Sequence, residues 1–196
     1  MDHTIFRWIN NLTVHISWAN STVKLYAKTG IAIFAVLLVV AYLDARYRDD
    51  HQRLAAAIWA GGAAVAALGI AQLIGRAVDR ARPYESLNNV HVLVTKTTDF
   101  SFPSDHATVA GAVAVGLLLS NRRWGVIATI AAILMAFARV YVGAHYPGDV
   151  TAGLALGAIV AIAGHYLVVP LLRRLIDRLA STSFRSLLSS TRRSPS

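Results

Sequence analysis

The stretch that decides the fold is residues 54–75, LAAAIWAGGAAVAALGIAQLIG, which lies between Arg53 and Arg76 and carries no charge. A bilayer core about 30 Å thick needs about 20 helical residues, so this run is long enough to span. Val150–Leu172 is a second run of that length, ending at Arg173. Three shorter runs, Thr29–Leu43, His106–Asn121 and Trp124–Ala138, are bounded by Asp44, Arg122 and Arg139. They reach spanning length only if flanking charged residues share their helices. Of 196 residues, 56% are hydrophobic and 15% are charged, with 13 Gly besides and no Cys. These proportions exclude an ordinary soluble domain, a disordered chain and a disulfide-stapled one. The reading is an all-α integral membrane bundle of five spans, with Gly153 and Gly157 as a small-residue pair that lets helices approach closely.

Flanking segments complete one domain over residues 1–180. Ile5, Ile9, Leu12 and Ile16 fall on one helical face near Trp8 and Trp18, which predicts an amphipathic helix over residues 1–23 lying in the membrane interface. Asn10, Asn11 and His15 interrupt it and argue against a signal peptide. Residues 181–196 read as a basic, Ser-rich, disordered tail. The net charge of +9 comes from 19 Lys and Arg against 10 Asp and Glu. These bases cluster between apolar runs, so the bilayer rather than a nucleic acid is the expected partner. Five spans put Arg46, Arg48, Arg53, Arg122, Arg123, Arg173, Arg174 and Arg178 on the C-terminal side. The positive-inside rule makes that side cytoplasmic.

Three polar islands share the opposite side. They are Arg80-Ala81-Arg82-Pro83-Tyr84, Phe102-Pro103-Ser104-Asp105-His106, and the stretch from Arg139 through His145 to Asp149. Chain parity lets all three converge on one site at the extracytoplasmic face. Arg82 and Arg139 offer forked cationic donors suited to phosphate. Ser104 stands at a helix N-cap position and Pro147 at the first position of another helix, so two helix N-termini point at the same volume. His106 and His145 can donate, accept or attack. Asp149 is one helical turn beyond His145, within reach of one imidazole nitrogen while leaving the other free. A metal site built from His145, Asp149, Asp105 and His106 is the weaker alternative, because two Arg beside it would repel a cation.

These islands resemble the three signatures of the type-2 phosphatidic acid phosphatase (PAP2) superfamily, whose patterns run roughly K-x6-R-P, P-S-G-H and S-R-x5-H-x3-D. Arg82-Pro83 matches the end of the first, Pro103 to His106 the second with Asp105 in place of Gly, and Arg139, His145 and Asp149 the third with Ala138 in place of Ser. Within the superfamily, F-P-S-D-H-A and A-R-V-Y-V-G-A-H-Y-P-G-D look like the bacitracin-resistance branch of undecaprenyl diphosphate phosphatases. The resemblance implies a phosphatase without metal or other cofactor, acting on a polyprenyl diphosphate at the outer leaflet of a bacterial-type plasma membrane during recycling of the cell-wall carrier. It implies His145 as nucleophile forming a phosphohistidine, Asp149 as its orienting partner and His106 as acid and base. Arg82, Ser104 and Arg139 would bind the phosphate. The family Lys falls on Gly75, and Arg76 or Arg80 are the residues that could stand in as further phosphate ligands. A phosphatase of phosphatidic acid or phosphatidylglycerol phosphate is the alternative enzyme, and a small anion or lipid transporter the alternative outside enzymes. Oligomeric state is left open. The loop Tyr84–Phe102 carries Val90–Val94, which either packs over the bundle or guides a lipid tail.

Overall fold

The computed structural model describes residues 1–180, and the tail expectation for residues 181–196 lies outside them. Among the described residues every regular element is a helix. It runs α1 (Asp2–His15), a 3-10 turn (Ser17–Ala19), α2 (Asn20–Thr29), α3 (Ile31–Tyr47), α4 (His51–Val78), the single turn α5 (Pro83–Ser86), α6 (Asp105–Ser120), α7 (Arg122–Tyr141), α8 (Pro147–Leu167) and α9 (Val169–Ala180).

The five apolar runs correspond to α3, α4, α6, α7 and α8. Three segments, His51–Ser86, Arg122–Tyr141 and Pro147–Leu167, are long and apolar enough to cross a bilayer. Helices α2 and α3 meet the same test only as a pair, bent by 57° at Gly30. Helix α6 is apolar but has 16 residues. The molecule is therefore a multi-pass membrane bundle with three or four helices of spanning character.

Packing follows the logic of a lipid solvent. Ala57, Ala60, Ala63, Ala67, Ala110 and Ala112 are buried, while Val36, Val65, Ile130, Ile133 and Ile159 face outward. Small residues inside let backbones approach, and branched apolar residues outside meet acyl chains. The α6–α8 contact is the most extensive in the bundle. A Cβ added at Gly157 would stand 2.1 Å from the Thr108 carbonyl oxygen, and one at Gly153 would stand 2.7 Å from that of Ser104. This close crossing brings the N-termini of α6 and α8 together at one end of the bundle.

Two expectations need correction. The fifth run does not continue as one helix to Leu172: α8 stops at Leu167 and α9 begins at Val169. Pro170 has no N–H to continue the ladder. Helix α9 turns aside to seat Val169 and Ile176 against Leu54, Ala55 and Ala56 at the end of the bundle opposite the polar islands. The N-terminal helix is also shorter than the expected 1–23, since α1 ends at His15, a 3-10 turn follows at Ser17–Ala19 and α2 starts at Asn20. Phe6, Asn10 and Thr13 are buried, whereas Ile5 is exposed. Asn10 ties α1 to the bundle, donating to the carbonyls of His91 and Tyr141 at 2.8 and 2.9 Å and accepting from the His91 N–H. Helix α1 is thus clamped across the mouth of the bundle by a polar contact.

Gly157→Ala forces backbone apart at the α6–α8 crossing, an overpacking that costs about 2–3 kcal/mol. It should lower the melting temperature in detergent by roughly 5–10 °C. Gly69→Ala meets open space and should leave the melting temperature level or slightly raised in the same thermal-shift measurement.

Candidate active site

Four helix ends meet at the mouth of the bundle: the C-termini of α4 and α7 and the N-termini of α6 and α8. Arg82 follows α4, Ser104 stands at the N-cap position of α6 without a side-chain capping bond, Arg139 lies in the last turn of α7, and His145 lies in the short connection before α8. Arg82, Arg139 and His145 border a cavity of about 650 Å³ together with His106, Asp99 and Asp105, whereas Ser104 is fully buried behind that lining.

His145 is at the centre and is 2% exposed. Its Nδ1 lies 2.8 Å from the Ser101 carbonyl oxygen, an acceptor only, so Nδ1 carries the proton and donates. The lone pair of Nε2 then faces two guanidiniums, Arg82 NH1 and Arg139 NH2, each at 3.2 Å. Burial, followed by the charges of Arg139 and Arg82, pushes the His145 pKa well below the ordinary imidazole range. The ring is neutral, and its free nitrogen has the lone pair that nucleophilic attack requires.

Arg82 and Arg139 are held differently. Arg82 gives Nε and NH2 to Asp99, at 3.0 and 2.8 Å, and sends NH1 inward to the Ala144 carbonyl and His145. Arg139 donates to the Ala27 carbonyl at 3.2 Å and has no carboxylate partner among the described residues. Its Nε is buried without a hydrogen bond. A buried, unpaired guanidinium is costly unless an anion meets it. Ser104 Oγ is likewise buried and without a partner. The His106 ring lines the cavity and makes no hydrogen bond among the described residues. Asp105 accepts from Gln72 at 2.8 and 2.9 Å rather than pairing with an Arg.

Asp149 does not touch His145 directly. Its Oδ2 is 3.9 Å from Nδ1, beyond hydrogen-bond range. It stands three residues past the N-cap of α8, where its carboxylate turns back to accept from the Tyr146 N–H at 2.9 Å. It also accepts from Ser101 Oγ at 2.5 Å and Arg80 NH1 at 2.6 Å. Ser101 is the bridge: its side chain holds Asp149, its carbonyl holds His145, and its N–H binds the Arg80 carbonyl at 2.8 Å.

The two stand-ins for the family Lys are not in the cavity. Arg80 is committed to Asp149 and, at 2.6 Å, to Asp2 of α1, and it stacks 4.1 Å from the Tyr146 ring centroid. Arg76 is exposed on α4. Position 75 itself is sealed, since a Cβ there would stand 3.2 Å from the Phe100 ring and the Phe102 carbonyl oxygen. Sequence reasoning missed Asp2, Asp99 and Ser101, none of which carries a local signal. Lys24 and Lys28 of α2 also line the cavity. Val92, Leu93 and Val94 line it too, while Leu93 N–H is tied to the Val142 carbonyl at 3.1 Å, so the loop both packs on the bundle and forms an apolar lip. Among the described residues no three His, Asp or Glu side chains converge as metal ligands do.

Known proteins resemble the chain in both sequence and fold. The PAP2 superfamily profile matches residues 56–173. The chain is 32% identical over 160 residues to undecaprenyl-diphosphatase BcrC of Bacillus subtilis, covering 82% of this chain and 80% of that protein. Its fold is similar to the crystal structure of Aquifex aeolicus LpxE, with a TM-score of 0.58, 22% identity, and coverage of 83% of this chain and 93% of that one. It is also similar to a PAP2-type phosphatidylglycerolphosphate phosphatase of Bacillus subtilis, with a TM-score of 0.56, 18% identity, and coverage of 93% and 89%.

Two measurements test this geometry. A histidine with the ordinary pKa near 6.5 is about three-quarters protonated at pH 6. Because a lowered pKa keeps the base unprotonated to lower pH, nitrogen NMR of labelled protein in micelles should find His145 still neutral at pH 6. Arg80→Gln removes a brace of Asp149 without removing a cavity wall. It should therefore lower kcat about tenfold and leave KM within about twofold, whereas a phosphate ligand would raise KM as well.

Proposed function

We propose that this chain, which belongs to the PAP2 superfamily and is a membrane phosphatase of lipid-linked phosphate, removes the terminal phosphate of a polyprenyl diphosphate. One observation carries the reading: two buried guanidiniums aim at the free nitrogen of a neutral, backbone-oriented imidazole. That arrangement suits a nucleophile attacking a phosphorus whose equatorial oxygens the guanidiniums neutralise. The cationic cavity behind an apolar lip suits a substrate with a charged head and a prenyl tail. The likeness to BcrC, an undecaprenyl-diphosphatase, supports the same substrate class.

The reaction has two steps. His145 Nε2 attacks the terminal phosphorus in line, the bond to the bridging oxygen breaks, and the lipid monophosphate leaves. Proton donation from His106 assists that departure, though a phosphate leaving group with a second pKa near 6 needs it little. His106 then takes a proton from water, whose oxygen attacks the phosphohistidine. The P–N bond breaks and inorganic phosphate is released. Ser104 Oγ and the N-termini of α6 and α8 add donors to the phosphoryl oxygens. Asp149 stabilises the developing imidazolium through Ser101 and through space rather than by direct contact. Arginines at the far end, including Arg173, Arg174 and Arg178 on α9, support a reading in which that end is cytoplasmic and the cavity opens at the outer leaflet.

A lipid monophosphate substrate is the second reading, favoured by the two guanidiniums at Nε2 of His145, which match a single phosphoryl group. Purified protein, with chelator present, separates the two when offered polyprenyl diphosphate, phosphatidic acid and phosphatidylglycerol phosphate side by side. The diphosphate should give the highest kcat/KM, by about tenfold or more. His145→Ala should lose at least about a thousandfold. His106→Ala should still form the phosphoenzyme from the diphosphate but stall in hydrolysis. Full activity in His145→Ala would sink the mechanism, and a preference for phosphatidic acid would transfer the reading to the monophosphate.

A further inference from the structure

We propose that Lys24 and Lys28 of α2 form a second anion wall that holds the inner, lipid-linked phosphate of a diphosphate and so sets the preference for diphosphate over monophosphate. The inference rests on the phosphatase reading above and names what selects its substrate.

Helix α2 is part of the site. Arg139, one of the two guanidiniums at His145, donates to the carbonyl of Ala27 at 3.2 Å. Ala27 is fully buried in a cluster with Ala138, Tyr141, Val142 and Ala144. One residue earlier, the Tyr26 hydroxyl donates to the Ala131 carbonyl of α7 at 2.7 Å. Lys24 and Lys28 flank this anchor four residues apart, hence on one helical face, and both line the cavity that holds His145. Among the described residues neither ammonium has an ion-pair or hydrogen-bond partner. They are exposed, and an unbound ammonium in water costs nothing to maintain, so their use lies in what they meet.

Charge arithmetic points to that use. Of the cavity-lining residues, Arg82 and Arg139 are balanced in number by Asp99 and Asp105. The two lysines are the remaining cations in the lining and give it a net excess of positive charge. A phosphate monoester carries about two negative charges near neutral pH, and a diphosphate ester about one more. The terminal phosphoryl belongs against Nε2 of His145 and the two guanidiniums. The inner phosphate then lies between that group and the prenyl tail at the lip formed by Val92, Leu93 and Val94. An ammonium on a flexible four-carbon stem, with three donors, suits this less fixed group better than a rigid fork would. Exposure and salt weaken each contact, so each lysine contributes a severalfold effect rather than a thousandfold one.

The experiment compares farnesyl diphosphate with farnesyl monophosphate, which share a tail and differ by one phosphate. The proteins are the wild type, Lys24→Gln/Lys28→Gln, and Lys24→Arg/Lys28→Arg, each checked by melting temperature in detergent. In the wild type kcat/KM should favour the diphosphate at least tenfold. In the Gln double variant KM for the diphosphate should rise about tenfold, KM for the monophosphate only about twofold, and the preference should shrink accordingly. The Arg double variant should restore it, and the wild-type preference should fall as salt rises. A Gln double variant that keeps the wild-type ratio overturns the lysine wall and leaves the diphosphate reading standing. Equal losses on both substrates also overturn it. A wild type that prefers the monophosphate overturns the diphosphate reading and the wall with it.

Discussion

Two guanidiniums meeting a neutral imidazole in a buried corner is the constraint around which the rest is arranged. Arg82 and Arg139 are 5% and 9% exposed, and like charges that close repel strongly where water is excluded. The fold does not relieve this by giving each arginine a carboxylate. It places one carboxylate, Asp99, on the outer side of Arg82 and gives Arg139 only backbone oxygen and the His145 nitrogen. The imidazole cannot take a proton there without adding a third positive charge. The electrostatics that make the corner attractive to phosphate are thus the same electrostatics that keep the imidazole unprotonated and its lone pair free.

Holding that arrangement requires the framework beneath it to be stiff. Helices α6 and α8 cross with backbone atoms of Thr108, Gly111 and Ala112 where any side chain at Gly157 would stand. Their N-terminal turns carry Ser104 and Asp149, and the Ser104 N–H binds the Asp149 carbonyl at 3.1 Å. From there the support runs outward through Ser101, Asp149 and Arg80 to Asp2. Asp2 also accepts from the Gly148 N–H at 2.8 Å, so the first helix is pinned to the first turn of α8. For Asp2 burial opposes ionisation, but the Arg80 and Gly148 hydrogen bonds outweigh it and hold its pKa below the ordinary carboxylate value. The latch is therefore ionised at neutral pH.

Much of this is legible in the residues. Charge-free runs place the bundle helices, because in lipid the backbone has no partner but its own helix. Arg82, Arg139, His106 and His145 meet at one cavity as chain parity allows, and Ser104 does stand at a helix start, although its hydroxyl makes no capping bond. What escapes a reading of the residues does so for physical reasons. A turn of helix separates His145 from Asp149, which suggests contact, but an Asp at that place in a first turn is drawn back to its own N-cap. The partner of Nδ1 is instead a backbone carbonyl, and every residue has one of those. The isoleucine stripe of α1 does not show how the helix is tied to the bundle, because that tie is Asn10, which satisfies loop backbone.

Asp99 occupies the least expected position, since a carboxylate beside a phosphate site repels the anion it borders. Its side chain is 57% exposed while that of Arg82 is 6% exposed. Burial works against its charge, but the hydrogen bond from the Thr97 hydroxyl and the pairing with Arg82 prevail, and its pKa sits below the ordinary value. It takes Nε and NH2 of the guanidinium from the solvent side and leaves NH1 facing Nε2 of His145. A guanidinium fork so gripped cannot swing out toward water, and the donor it presents inward is fixed before any anion arrives. The carboxylate weakens the total positive field somewhat, yet it converts a mobile charge into an oriented one. Donors already in place stabilise charge as it develops without having to reorganise, so the orientation gained outweighs the field lost.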